Sequence, residues 1–243
     1  MKRFWNTATP ERHDSSLGSG FGVLLDGRPV RLPGGTPLHV PTAILAAAIA
    51  EEWQRAGGQR GGEMSWNDVP LTRLAGTAQE RIEPDREAVA DALAAYGESD
   101  LLCYRVDRPA ALAQRQERAW QPWLDWIAER YGARLVPTTG IVHRRQDPAA
   151  LAALRRALGE QSALALAALG IAIPALGSLV LGLALAEGAL DAGMAHALAT
   201  LDETFQAEQW GEDPEAAQRR REIGKDIASA GRLLRLARGL LEE

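Results

Sequence analysis

Cysteine is almost missing. Cys103 is the single thiol in 243 residues, which excludes an intramolecular disulfide and leaves a reducing compartment open. The same scarcity excludes structural zinc sites built on cysteine pairs. The four histidines, His13, His39, His143 and His196, stand in no H-E-x-x-H or E-x-x-H spacing, so no metal and no cofactor is expected. An excess of positive charge is also lacking. The formal net charge of −5 gives no general attraction to DNA or RNA, and no nucleic-acid partner is expected. Nor does the opening segment MKRFWNTATPERHD hold the apolar stretch that a secretory signal needs. With Glu11 and Asp14 inside it, the expectation is a chain without a signal or transit peptide.

What the chain does have is apolar content. At 46% hydrophobic residues it can bury a real core, and its length suits one domain or two small ones. One run, Gln161 to Ala186, is free of charge and long enough to cross a bilayer of about 30 Å. It is mostly alanine and leucine, is interrupted by Pro174, and carries Gly170, Gly177 and Gly182, with Ser178 and Gly182 at the small-residue spacing of a membrane helix pair. Two buried helices meeting near Ile173-Pro174 account for the same residues, and no membrane insertion is expected.

The hydrophobic period changes along the chain. FGVLLDGRPVRL sets two apolar runs around Asp26-Gly27, both of which accept positive φ, and predicts a hairpin. PLHVP predicts a further short strand. From Pro41 the period becomes helical: TAILAAAIAEEWQRAGG puts Ile44, Ala48 and Ile49 on one face, adds Trp53, and stops at Gly57-Gly58. Later helices open at Pro84, Pro109 and Asp147-Pro148, the first two closing at Gly97 and Gly132. DLLCYRV and LVPTTGIVH are the extended exceptions. The fold class expected is α+β, with a small β-rich N-terminal domain over residues 1–60 and a larger all-helical C-terminal domain over 61–243.

Candidate chemistry is sparse. GSGFG, Gly18 to Gly22, would cradle a phosphate only between a strand and a helix, and here a hairpin follows, so it is read as a flexible turn. Cys103 and His143 could form a nucleophile and base for a cytoplasmic hydrolase only if the fold brings them together; otherwise Cys103 is a small buried hydrophobe. Trp120, Trp123 and Trp126 recur at helical spacing around Pro122 and read as core rather than a base-stacking platform. The last predicted helix, Pro214 to Leu241, carries Arg219, Arg220, Arg221, Lys225, Arg232, Arg235 and Arg238 opposite Leu233, Leu236 and Leu240. That pattern suits a solvated amphipathic helix, with phosphate binding as the alternative.

One stretch resists such readings. LDETFQAEQWGEDPE, Leu201 to Glu215, gathers acids around Phe205 and Trp210. Gly211 suits a helix end, and Asp213-Pro214-Glu215 reads as the cap and first turn of the next helix. Asp202, Glu203, Glu208 and Glu212 are unexplained, because exposed acids in a last turn face the negative end of the helix dipole at up to about 1 kcal/mol each. Helical spacing turns Leu198, Leu201 and Phe205 inward and presents Asp202 and Gln206 outward.

LDGRPVRLPGGTPLHVPT, AIAEEW, VPLTRLAGTA, SDLLCYR, GSLVLGLALAEG and LDETFQAEQWG together resemble a known family, the assembly chaperones that bind the alpha subunit of the catalytic sector of F-type ATP synthase in mitochondria and alphaproteobacteria. The likeness runs from about Phe4 to Trp210, and its strongest motif falls on Asp202, Phe205, Gln206, Trp210 and Gly211. It implies a β-rich N-terminal domain joined to a helical one. It also implies a non-catalytic protein that holds the unassembled alpha subunit, prevents its aggregation and shields the surface that later meets a beta subunit. The partner-binding residues on this reading are Asp202, Glu203, Gln206, Glu208 and Trp210. Mitochondrial members begin with a targeting extension not found here, and arginine far outnumbers lysine, so a bacterial cytoplasmic member is expected.

Overall fold

The computed structural model describes residues 1–15 and 18–240. Packing divides the chain into two compact units, the first made of Met1–Arg86, Ser162–Ala168 and the chain from Arg232 onward, the second of Glu87–Gln161 and Leu169–Gly231. The fold is α+β, an antiparallel sheet near the N-terminus followed by a mostly helical region.

In the first unit β1 (Ala8–Ser15) pairs antiparallel with β2 (Gly18–Leu25), which pairs with β3 (Arg28–Pro29). The turn between β2 and β3 is the Asp26-Gly27 pair, at φ 47° and 77°, the mirror-image geometry that matches strand twist in a two-residue hairpin. GSGFG is not a flexible turn. It begins β2, where a Cβ at Gly20 would lie 2.3 Å from the His39 ring, so the glycine lets a histidine close over the strand. PLHVP joins the sheet only through isolated bridges, Arg31 to Pro37 and Phe21 to Val40. β1 is polar and has no strand alternation legible in its sequence.

The helix α1 (Ala43–Arg55) starts on its Thr42 cap and packs on β1 and β2. The buried Trp5 donates its indole N–H to the Trp53 carbonyl at 3.0 Å, and Trp53 donates to Thr72 Oγ1 at 2.9 Å on α2 (Pro70–Thr77). α2 opens without a capping side chain of its own. The buried Glu52 supplies the acceptor instead, taking the N–H of Leu71 at 3.0 Å, with the guanidinium of Arg232 3.6 Å away. An anion at a helix N-terminus satisfies otherwise unpaired donors and meets the positive end of the dipole.

The second unit begins in α3 (Arg86–Ala94), then runs through β4 (Tyr104–Arg105), α4 (Ala110–Tyr131), β5 (Thr138–Thr139) and α5 (Pro148–Gly159). α4 ends on Gly132 at φ 69° and α5 on its start is capped by Asp147, both at the signals that the sequence carries. The region is not purely helical, because β4 and β5 pair in parallel. They are the two extended exceptions of the sequence.

Then come α6 (Ala163–Leu176), α7 (Leu179–Glu187), α8 (Ala192–Ala199), α9 (Leu201–Trp210) and α10 (Pro214–Ala237). The uncharged run is α6 and α7. Their junction is Gly177-Ser178, later than the Ile173-Pro174 expected, since Pro174 sits inside α6. Among the described residues no helix is long and apolar enough to cross a membrane. Asp100 organises the junction: it is fully buried and accepts from Ser178 Oγ at 2.8 Å and from the N–H groups of Leu102 and Val180, each at 3.0 Å. Leu233 and Leu236 of α10 are buried, whereas Leu240 is exposed and Leu241 lies outside the described residues.

Candidate functional site

Thr200 separates α8 from α9, so Asp202 and Glu203 belong to the first turn of a helix rather than to its last. There the dipole favours them. Leu198 and Leu201 are buried as their spacing requires, and Phe205 is half-buried. Asp202 does not point freely outward. Both its carboxylate oxygens accept from the side-chain amide of Gln116, at 2.8 and 3.0 Å, and Gln116 is fully buried on α4.

Gln116 is itself held. Its Oε1 accepts from Val106 N–H at 2.8 Å and its carbonyl from Arg105 Nη1 at 2.7 Å. The Arg105 guanidinium is buried over the Trp120 ring at 5.3 Å, donates to the Leu102 carbonyl at 2.9 Å, and lies 3.7 Å from Glu117. Burial pulls its pKa below the ordinary arginine value, which the carboxylates of Glu117 and Asp202 oppose. Trp120 completes the support by donating its indole N–H to the Leu198 carbonyl at 3.0 Å. The carboxylate of Asp202 is thus fixed from below by α4 before any partner arrives, and preorganised groups lose less entropy on binding.

The other acids have local reasons to be there. Glu208 accepts from Arg115 at 2.7 Å, and that hydrogen bond holds its carboxyl below the usual range. Glu212 meets Arg220 at 2.7 Å, and Glu203 meets the same guanidinium at 3.6 Å. Gln206 is exposed, and Trp210 at the end of α9 leaves 79% of its surface in water. The site is therefore a mosaic of paired charges around a bare indole, with a single anchored carboxylate on its inner side. Arg105, Arg115 and Gln116 escaped the sequence reading. Nothing in local spacing couples α4 to α9, and only the Gln116 position inside an apolar helical stripe hints at a buried amide.

Cys103 and His143 do not form a pair. The thiol is buried and pushed up to about 12, mainly by desolvation, while His143 bonds with Tyr104 Oη at 3.2 Å and Glu98 at 3.0 Å. A thiol that is protonated at neutral pH is a poor nucleophile. Of the tryptophans on α4 only Trp120 is fully enclosed; Trp123 and Trp126 are half-buried and meet edge to face at 6.2 Å.

Residues 2–128 match the family model described as ATP12 chaperone protein. The chain is similar to the protein atp12, mitochondrial, of Schizosaccharomyces pombe, 25% identical over 223 residues that cover 87% of this chain and 74% of the relative. It is also similar to the crystal structure of Atp12 from Paracoccus denitrificans, with 41% identity, a TM-score of 0.89, and coverage of 97% and 98% of the two chains. The D202K mutant of P. denitrificans Atp12p matches at the same identity and TM-score, covering 97% of each chain.

Proposed function

The chain belongs to the ATP12 chaperone family, and from that membership we propose that it assists ATP synthase assembly by holding the unassembled alpha subunit of the F-type catalytic sector until a beta subunit takes its place. The family is described as one of chaperone proteins and not of enzymes. A bacterial cytoplasmic setting is part of the same proposal, and the similarity to the Paracoccus protein supports it.

The observation that carries the binding site is Trp210, 79% exposed at the opposite end of α9 from the anchored Asp202. Large exposed aromatics rimmed by charge are the usual anchors of protein interfaces, where apolar burial supplies affinity and charges supply register. Asp202, Glu203, Gln206, Glu208 and Trp210 form the proposed client face. Reversible holding suits it, because acids already paired with Arg115 and Arg220 can exchange partners at small net gain. The hydrolase alternative lacks a reactive thiol. The nucleic-acid alternative loses Arg220 to Glu203 and Glu212, and Arg232 to Glu52.

The test is capture of purified or coexpressed alpha subunit by the chain and by its Trp210→Ala variant, each also melted alone. Capture by the parent, weakened about tenfold or more in a variant that melts like the parent, is the expected result for an interface anchor. A parent that retains no alpha subunit refutes the client, and equal capture by both proteins refutes the place.

A further inference from the structure

The segment between β5 and α5 displays the most exposed aliphatic side chains of the second unit. Ile141 is 96% exposed and Val142 74%. Two adjacent aliphatic residues in water are unremarkable on a frayed loop, but this loop is tied down along its length. At its base the buried Gln146 accepts from Val136 N–H at 2.8 Å and donates to the Val136 carbonyl at 3.1 Å. Higher up, Gly140 N–H donates to the Arg105 carbonyl at 2.8 Å, and Thr138 Oγ1 donates to the Val142 carbonyl at 3.3 Å. His143, next to the tip, is clasped by Tyr104 and Glu98. These bonds hold the loop without burying either aliphatic side chain, so the tip is presented and not merely left over.

We infer that Ile141 and Val142 form a second apolar anchor for the client, linked to the α9 face and resting on the client reading given above. The link runs through one residue. Arg105 accepts the Gly140 N–H through its carbonyl and holds Gln116 through its guanidinium, and Gln116 holds Asp202. A hydrogen-bonded chain therefore joins the loop tip to the anchored carboxylate within one unit. The shoulder of the tip is basic: Arg144 and Arg145 are exposed, and no acid occurs from Ala133 to Gln146. The surface that fits is a protein one, with an apolar depression for the two side chains and carboxylates at its rim toward the arginines. A lipid surface fits less well, because two short aliphatic side chains make a shallow anchor and two adjacent arginines fall short of the cluster of roughly four to eight basic residues that anionic headgroups hold.

The experiment uses the full chain, its Ile141→Ser/Val142→Ser double variant and its Arg144→Glu/Arg145→Glu double variant, with the alpha subunit as probe. Affinity for the alpha subunit is expected to fall about tenfold or more in the serine variant and in a salt-dependent way in the glutamate variant. Both should melt with the parent, since the four side chains are exposed. A serine variant within about twofold of a parent that does bind overturns the loop anchor and leaves the client reading standing. A parent that does not bind removes both. Sedimentation of the parent, but not the serine variant, with phosphatidylglycerol vesicles would assign the tip to lipid, and a parent dimer that the serine variant dissolves would assign it to a second copy. Either result overturns the inference.

Discussion

The amide of Gln116, with no exposure to water, reaches both carboxylate oxygens of Asp202. The acid is therefore shared between the interior of the second unit and its surface, and substitutions at 202 separate the two duties. Asp202→Asn keeps an acceptor for Gln116 and removes the charge, so its melt should follow the parent closely while alpha-subunit capture weakens. Asp202→Lys leaves the buried amide without an acceptor and turns a cation toward Arg105. A buried donor left unpaired costs about 1–3 kcal/mol, which for a chain this long lowers the melting temperature by about 2–4 °C per kcal/mol. Paired melting and capture curves for both variants are the measurement. An Asp202→Lys protein that melts with the parent would show that Gln116 finds another acceptor.

Glu52 gives a prediction in the first unit. Its carboxylate takes the N–H groups of Leu71 and Thr72 where α2 has no cap of its own, and Arg232 approaches it from the C-terminal segment. Glu52→Ala should destabilise the protein by about 2–4 kcal/mol, since donors and a guanidinium lose a buried partner together. Chemical denaturation reads this directly. A loss below about 0.5 kcal/mol, the range of ordinary surface changes, would mean that water replaces the carboxylate.

Much of this architecture is written in punctuation. Asp26-Gly27, Thr42, Asp147, Gly132 and Gly211 fall where helices and turns start or stop, because each answers a local backbone requirement. What the sequence hides is non-local. β1, ATPERHDS, carries no alternating apolar pattern, and its strand state follows from pairing with β2. Period also misled at Thr200, where the Leu198 and Leu201 stripe continues although the helix does not. At the site, Trp210 and Asp202 were legible as an aromatic and an acid on one helix. Their surroundings were not, since Gln116 and Arg115 reach α9 across 86 and 93 residues of chain. The exposure of Ile141 and Val142 was equally hidden, because TTGIVH has the composition of a buried strand.

Gly182 tests why the uncharged run is rich in glycine. A Cβ at this position would lie 2.4 Å from Ile173 Cγ1, so α6 and α7 touch where only a hydrogen fits. Gly182→Ala should cost about 1–3 kcal/mol through overpacking, in spite of alanine's better helix propensity. Adding Ile173→Val to the Gly182→Ala protein should recover little of that loss, because valine keeps a carbon at the clashing γ position and lacks only Cδ1, which lies 3.3 Å from the added Cβ. A Gly182→Ala protein more stable than the parent would show that the helices can separate freely.

The final prediction sets two effects at Asp100 against each other. Burial raises its carboxyl from 3.8 to about 6, against the pull of the Val180, Leu102 and Ser178 hydrogen bonds. Between those values the folded protein holds a proton that the unfolded chain has released. This contribution to stability is complete below the unfolded value and is lost as pH rises through the folded one; it amounts to up to about 3 kcal/mol. Asp100→Asn has no such proton. At pH 7 the variant still loses an acceptor, because an amide must turn its NH2 group toward Val180 N–H or toward the Leu102 and Ser178 donors, at about 1–3 kcal/mol. The stability gap between parent and variant is therefore expected at pH 7 and should widen toward pH 4, while every other titrating group cancels in the difference. Urea unfolding of both proteins at pH 7, 6, 5 and 4 measures it. A gap that stays constant across that range would show that the carboxylate remains ionised in its buried site, held by its donors more strongly than desolvation opposes it.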